Sequence, residues 1–416
     1  WPDRGSVAEK KSFKLQCDAH IRDYKIPTPA EIEKSNDRLL PLYIKHDLPQ
    51  FLYSYNRSEW HKAINDLKPY IKPDASPGVP HTKVSTRNDK LLEAMGERFN
   101  EVVLNRVESL IALDLATVKN MDRRERIDNN LVDPVRVFVK NEPHKRAKID
   151  EGRVRLIMSV SLTDKVIEML LSRHICKLEI QNWRRIPSKP GIGFDEIDNE
   201  EVAADIFDSG YEMRASDVKG WDWNVKQWQI TDEAESLINL AKTSSPVWEH
   251  LLRCKAVLES ESVYQFSDGT LVAPTFPGIV NSGKLRTSRG NSWMRVRVAD
   301  LVGSKKTIAA GDDAVESYVP DAVEKYKALG IALKVYDKVD SEFEFCSRIY
   351  SRSGSYALNK EKMIMNLLHQ EPKNFLEYRS AMIGLTDELS SRPDFQDILG
   401  LVEAAGFYEV EGPHYI

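Results

Sequence analysis

The sequence predicts an α+β fold in which antiparallel hairpins are flanked by helices. Three observations lead there. Long stretches carry apolar residues at helical spacing, short β-rich runs are joined by turns rich in Gly and Asp, and the two signals interchange without an internal repeat. A chain of 416 residues has room for two or three domains, or one elaborate domain, and 41% hydrophobic content supports a sizeable core. The net charge of −5 does not mark the whole chain as a nucleic-acid binder, so basic residues matter only where they cluster. Cys17, Cys176, Cys254 and Cys346 form no Cys-x-x-Cys pair, which suits a reducing compartment and argues against a zinc ribbon. Cys17 and His20 are close, without a second ligand pair, and read as structural. No run approaches membrane-span length and no signal peptide is evident. The chain opens on Trp1, so a processed or trimmed product, or a segment of a longer polyprotein, is expected.

Residues 1–70 mix charge with aromatics such as Phe51, Tyr53, Tyr55 and Trp60 and show no evident chemistry. Ser76-Pro77-Gly78-Val79-Pro80 reads as a stiff, exposed turn whose backbone can approach another chain. One long amphipathic helix is expected from about 89 to 116, with Leu92, Met95, Phe99, Val103, Val107 and Leu110 as its core stripe. Strands at Val135–Val139 and Arg153–Ile157 enclose a loop in which seven cations fall within about twenty residues, counting Arg136, Lys140, Lys145, Arg146, Lys148, Arg153 and Arg155. Such a loop binds phosphate or triphosphate, or is a solvated charged hairpin. A helix starts near Thr163 and Asp164. The Lys189–Gly193 loop has neither a dinucleotide-site nor a P-loop setting.

Met213, Ala215 and Asp217 alternate onto one strand face, which puts Asp217 at the strand end. Gly220 turns the chain, and Asp222 follows five residues after Asp217. Trp221 and Trp223 are expected to pack. Helices are expected at about 231–243 and 246–259, and a hairpin at Val263–Phe266 with Thr270–Ala273. Ser282-Gly283 is expected to open a helix running towards Asp300, with Thr287 and Asn291 one turn apart on one face. A hydroxyl and an amide presented together can recognise a sugar hydroxyl; otherwise this is a polar exposed face.

Thr307–Val315 reads as strand, tight turn, strand, with Gly311 allowing the turn and the carboxylates of Asp312 and Asp313 at its tip. Adjacent acids repel unless a cation sits beside them, and a divalent metal is the obvious candidate. Asp217 at a strand end and Asp312 in the hairpin could share two metal ions. A helix at Pro320–Leu329 stops at Gly330. A strand at Ile331–Val335 follows, then Asp337-Lys338, a hairpin at Phe343–Tyr350, and helices near 373–383 and 393–405.

In this order, the stretches resemble the RNA-dependent RNA polymerases of positive-strand RNA viruses, most closely the replicases of sobemoviruses, poleroviruses and related sobemo-like viruses. Asp217-x4-Asp222 looks like the first palm motif. Ser282-Gly283-x3-Thr287-x3-Asn291-Ser292 matches the second at every fixed position, and Gly311-Asp312-Asp313 looks like the third. Helix-Gly330-strand-Lys338 resembles the fourth motif and Phe343–Tyr350 the fifth. Lys140, Lys148 and Arg155-Leu156-Ile157 have the spacing of the basic fingers motif, and Ser76–Pro80 resembles the loop where template enters. The resemblance covers about 75–350 well and the ends poorly.

The resemblance implies a right-hand polymerase fold with an antiparallel palm sheet. Fingers are expected at 1–205 and 223–275, palm at 206–222 and 276–350, and thumb at 351–416. It implies template-directed nucleotidyl transfer from NTPs with Mg²⁺, for which Mn²⁺ substitutes. Asp217 and Asp312 are the main metal ligands, Asp313 has a supporting role, and the Val218 carbonyl completes the shell. Lys140, Lys148 and Arg155 hold the NTP; Asp222, Thr287 and Asn291 read its ribose beside Ser282 and Gly283. Lys338 protonates the leaving pyrophosphate, and Ser76, Pro77 and Gly78 meet the template. The implied partners are single-stranded RNA template, nascent RNA, a genome-linked protein primer and other viral replication proteins, in membrane-associated complexes of the host cytoplasm. Protein-primed and de novo initiation both stay open.

Three other classes compete. A reverse transcriptase shares the palm and metals, but Asp222 and the Asn291 helix argue against an enzyme that blocks the 2′ position with bulk. A two-metal nuclease or phosphatase has no need of the Lys148/Arg155 loop beside a Ser-Gly helix. A non-catalytic RNA-binding scaffold is disfavoured by intact Asp217, Asp312 and Asp313.

Overall fold

In the computed structural model, which describes residues 1–369 and 374–404, hairpins and helices interchange as expected and the fold is α+β. The strands among the described residues are, in chain order, β1 (Val135–Val139), β2 (Leu156–Ser159), β3 (Met213–Val218), β4 (Tyr264–Gln265), β5 (Leu271–Val272), β6 (Thr307–Ala310), β7 (Asp313–Ser317), β8 (Leu333–Lys338), β9 (Glu342–Phe345), β10 (Arg348–Ser351) and β11 (Gly354–Ala357). They form sheets of order β2-β1-β4-β5, β6-β7-β3-β8 and β11-β10-β9. The pairs β1–β2, β4–β5, β6–β7, β9–β10 and β10–β11 are antiparallel, and the short β1–β4 match is parallel.

The chain divides into two compact units, Trp1–Ile192 with Ser216–Tyr336, and Gly193–Ala215 with the residues from Asp337 on. The first unit holds three cores. One lies among the helices Arg57–Leu67, Glu97–Ala112, Leu162–Gln181 and Pro246–Ser260, around Trp60, Phe99, Val107, Leu170 and Trp248. A second lies between the helix Thr287–Val302 and the strands β6 and β7, with Trp293, Val298, Ala309 and Tyr326. A third, around Phe13, Val137, Met158 and Tyr264, backs the β2-β1-β4-β5 sheet.

The second unit pairs β9, β10 and β11 with the helix Glu196–Phe207. Phe343 stacks on Tyr350 at 5.1 Å, and the Tyr350 hydroxyl donates to Asn199 Oδ1 at 3.1 Å. The β9–β10 turn is made by Cys346 and Ser347, both at positive φ without a glycine. The expected hairpin at Phe343–Tyr350 is present, and β11 adds a strand that the sequence did not signal. The late helices run Phe375–Ser390 and Phe395–Ala404, beside an unforeseen Lys360–Leu368. Of the expected thumb, 370–373 and 405–416 lie outside the described residues.

Several boundaries moved, each for a local reason. The helix expected over 89–116 is two, Asn88–Met95 and Glu97–Ala112, because Gly96 at φ 52° breaks the backbone between them. Its stripe is nonetheless core: Phe99, Val103, Val107 and Leu110 are fully buried. The second basic strand begins at Leu156 rather than Arg153, because a short helix, Arg146–Glu151, closes first and Arg153 N donates to its Lys148 carbonyl. The helix expected from Ser282 starts at Thr287; residues 282–286 form turns. The 76–80 loop is not exposed throughout. Pro77 and Gly78 are buried, the Pro77 carbonyl accepts from Leu162 N at 2.8 Å, and a Cβ on Gly78 would stand 2.8 Å from the Val160 oxygen.

Candidate active site

The site is assembled within the first unit from the ends of β3, β6 and β7, the helix Thr287–Val302 and the basic β1–β2 connection. Asp217 is the penultimate residue of β3 and half-buried. Gly220 then adopts left-handed φ 60° and opens a one-turn helix, Trp221–Asn224, whose first turn carries Asp222. Trp221 is buried in the second core, and Trp223 packs edge-on against Phe13 at 5.5 Å, as expected of both. The N-terminal residues, in which no chemistry was foreseen, pin this turn. His20 Nδ1 donates to the Trp223 carbonyl at 2.7 Å, Ile21 N to Asn224 Oδ1 at 2.9 Å, and Lys226 Nζ to the Ile21 carbonyl at 2.6 Å.

In the hairpin, Ala310 pairs with Asp313, so the two-residue turn is Gly311-Asp312 with Gly311 at φ 67°. Asp312 stands at the tip. Asp313 is not at the tip; it begins β7 and is half-buried. The Ser292 hydroxyl holds the turn from the neighbouring helix, accepting from Gly311 N at 2.9 Å while donating to the Ser288 carbonyl at 2.7 Å.

The acids interact. Asp312 is exposed at the tip, yet the protein around its carboxyl displaces water, and this, then the nearby Asp217 charge, pushes that carboxyl above the ordinary range. Burial, followed by the charge of Asp312, raises Asp222 to about 6, against the pull of Asn291, Lys284 and Arg155. Asn291 Nδ2 donates to Asp222 Oδ1 at 3.0 Å, and Asn291 is 5% exposed with its Oδ1 buried and unpartnered. Thr287 lies one turn before Asn291 on the helix. Its hydroxyl turns back to the loop and donates to the Lys284 carbonyl at 2.9 Å. Gly283 permits a close backbone approach: a Cβ there would lie 2.3 Å from the Met158 carbonyl oxygen of β2, and Ser282 Oγ accepts from Met158 N at 3.4 Å. The Ser-Gly loop therefore locks the helix onto the basic hairpin.

In that hairpin, Glu142 receives both Lys140 (2.8 Å) and Arg155 (2.5 Å). His144 bridges the loop: its Nε2 accepts from Arg155 N at 2.8 Å, so Nδ1 carries the hydrogen and donates to the Glu142 carbonyl, also at 2.8 Å. Lys148 is exposed; partial burial and the surrounding cations Arg155, Lys145, Arg153 and Lys334 lower its pKa. Lys334, which no motif singled out, ion-pairs with Asp217. It precedes Lys338 by two pleats of one strand, and that spacing was the signal available. Lys338 closes β8 and is counted with the second unit.

Among the described residues, no three His, Cys, Asp or Glu side chains are gathered to hold an ion by themselves. The donor chemistry nevertheless suits Mg²⁺. It is all oxygen, the charge of Asp217 raises Asp312 and that of Asp312 raises Asp222, and Mg²⁺ commonly takes one or two carboxylates with substrate phosphates and water completing the shell.

Strand-end acids beside a cation-rich hairpin define a site for phosphate chemistry, and the sequence comparisons place it in a lineage. The chain belongs to the family described as viral RNA-directed RNA-polymerase, whose profile matches residues 57–360. It is 32% identical to the Replicase polyprotein P2AB of Southern cowpea mosaic virus, over 97% of this chain and 42% of that protein. It is likewise 32% identical to Protein P2-P3 of Poinsettia latent virus (96% and 38%) and 33% identical to Protein P1-P2 of Turnip yellows virus (89% and 37%). The chain thus spans about two fifths of the length of these curated relatives.

Proposed function

We propose that this chain is the RNA-dependent RNA polymerase of a positive-strand RNA virus, extending RNA from NTPs on a single-stranded RNA template. The observation that carries the reading is convergence. Asp217 and Asp222 come from one stretch and Asp312 from another far along the chain, yet the charge of Asp217 acts on Asp312 and that of Asp312 on Asp222, with Arg155 in coulombic reach of both Asp312 and Asp222, in a chain of the polymerase family. Fingers (1–205, 223–275), palm (206–222, 276–350) and thumb (351–416) are the division this reading assigns.

Asp217 and Asp312, with the Val218 carbonyl and support from Asp313, would hold Mg²⁺ or Mn²⁺. When bound, the ions supply acidity to the attacking 3′ hydroxyl and neutralise charge on the leaving pyrophosphate. Lys140, Lys148 and Arg155 bind the triphosphate, and for two of them this means leaving Glu142. Asp222 and Asn291 read the ribose 2′ hydroxyl, which both donates and accepts; the buried Asn291 Oδ1 is the acceptor waiting for it. Thr287, Ser282 and Gly283 fix the loop that frames the sugar. Lys338 is the proton donor to pyrophosphate. In the 76–80 loop Ser76, half-buried, meets the template while Pro77 and Gly78 brace it. Nascent RNA, a genome-linked protein primer and other viral proteins are its partners in infected host cells. The same reading places it in membrane-associated complexes of the host cytoplasm; no helix among the described residues is long and apolar enough to cross a membrane.

The test is incorporation of labelled ribonucleotides on single-stranded RNA with Mg²⁺ or Mn²⁺, with and without primer. Wild type should incorporate, and Asp312→Asn should lose about a hundredfold or more. Intact RNA binding with no incorporation, even from a primer, would favour the scaffold reading.

A further inference from the structure

One cation at the site falls within the fourth motif, between Gly330 and Lys338, but has no role assigned to it there. Lys334 projects from β8 with 62% of its side chain exposed, and its Nζ rests on Asp217 Oδ2. Its placement follows from the sheet. β8 is the neighbour of β3, and Lys219 N, just past β3, donates to the Ala332 carbonyl at 2.9 Å. Period-two alternation then directs Lys334 to the side of the sheet where Asp217 stands. The same ammonium belongs to the group of cations acting on Lys148 of the basic hairpin. It therefore has the acids on one side and the phosphate-binding cations on the other.

This position has a physical consequence. Asp217 and Asp312 repel, and Asp312 and Asp222 repel. A dication bound at Asp217 cannot share that carboxylate oxygen with an ammonium, because like charges about 4 Å apart oppose each other by at least ~1 kcal/mol even in water. A long, flexible, exposed lysine yields readily, and on the polymerase reading it would then meet the triphosphate bound by Lys148 and Arg155.

We propose that Lys334 is the resident counter-ion of the acid cluster: it holds Asp217 until a divalent cation displaces it, then transfers its charge to the incoming triphosphate. The second half rests on the polymerase reading; the first does not. Mn²⁺ binding is measured by calorimetry and electron paramagnetic resonance on the full chain without RNA or NTP, followed by the NTP dependence of single-turnover incorporation at saturating Mn²⁺. Lys334→Met should bind Mn²⁺ about tenfold more tightly and raise the KM for NTP several-fold, while Lys334→Arg, which keeps the cation, should bind Mn²⁺ like wild type. Asp217→Asn should abolish the Lys334-dependent difference. Unchanged Mn²⁺ affinity in a folded Lys334→Met protein, or an unchanged KM, overturns the inference. If wild type incorporates while Mn²⁺ affinity does not respond to Lys334, the inference fails and the polymerase reading stands. If affinity responds but nothing is incorporated, the counter-ion role stands and the polymerase reading fails.

Discussion

Asn291 shows how much a single side chain commits. Burying an amide oxygen without a partner costs free energy, on the order of 1–3 kcal/mol. Here that oxygen belongs to the amide whose Nδ2 donates to Asp222, beside the acids. On the proposed reading a ribonucleotide would supply the missing hydrogen and a deoxynucleotide would not, so discrimination would come from leaving polar groups unpaired. Asn291→Ala should narrow the rNTP-to-dNTP preference by about tenfold, read as the ratio of kcat/KM values. An unchanged ratio would remove Asn291 from sugar reading. Thr287 carries a lesson in the other direction. Helical spacing puts it on the Asn291 face, but its hydroxyl satisfies the Lys284 carbonyl, a local bond that spacing does not reveal.

At the scale of elements, the site depends on the way the Ser-Gly loop meets the basic hairpin. The two strands, the turn at Gly311 and the cluster of cations were all legible in the residues. The β1–β2 register, Val139 with Leu156, was legible only to within three residues, because Arg146–Glu151 takes up chain that looked like loop. Gly283 touches the Met158 carbonyl of β2, so Gly283→Ala must push backbone against backbone. The expected cost is about 1–3 kcal/mol of stability, with a raised KM for NTP as the hairpin shifts; denaturant unfolding and NTP titration read the two effects. Wild-type values for both would show that the approach is not tight. Ser292 was visible as a motif position, whereas its grip on Gly311 was not, since it links residues nineteen apart across a helix and a turn.

At the scale of the molecule, the helix Thr287–Val302 runs through the first unit carrying three buried arginines, Arg289, Arg295 and Arg297, with Arg286 buried just before its first turn. Arg289 bonds Glu179 at 3.1 Å and Glu233 at 2.8 Å, Arg286 bonds Glu168 at 3.1 Å, Arg297 bonds Asp232 at 3.0 Å, and Arg295 bonds Glu316 at 3.3 Å. Such pairs contribute little over an apolar core of equal volume, but removing one partner leaves a buried charge unmatched. Arg289→Met should destabilise the protein by about 3–5 kcal/mol, and adding Glu179→Met should recover part of it, as measured by urea unfolding. A loss below about 1 kcal/mol would mean that water already reaches these acids.

The sequence by itself determined the α+β class, the order of hairpins and helices, and which residue types bear chemistry. Those depend on local backbone preference and on periodicity, which are written within a few residues of each position. Only the tertiary structure decided that Lys334 meets Asp217, that Glu142 holds Lys140 and Arg155, and that Ser292 and Gly283 fix the turns around the acids. It also buried Pro77 and Gly78. Each of these joins groups far apart in the chain or weighs a local preference against packing, and that balance is struck by free energies that exist only once the chain has closed on itself.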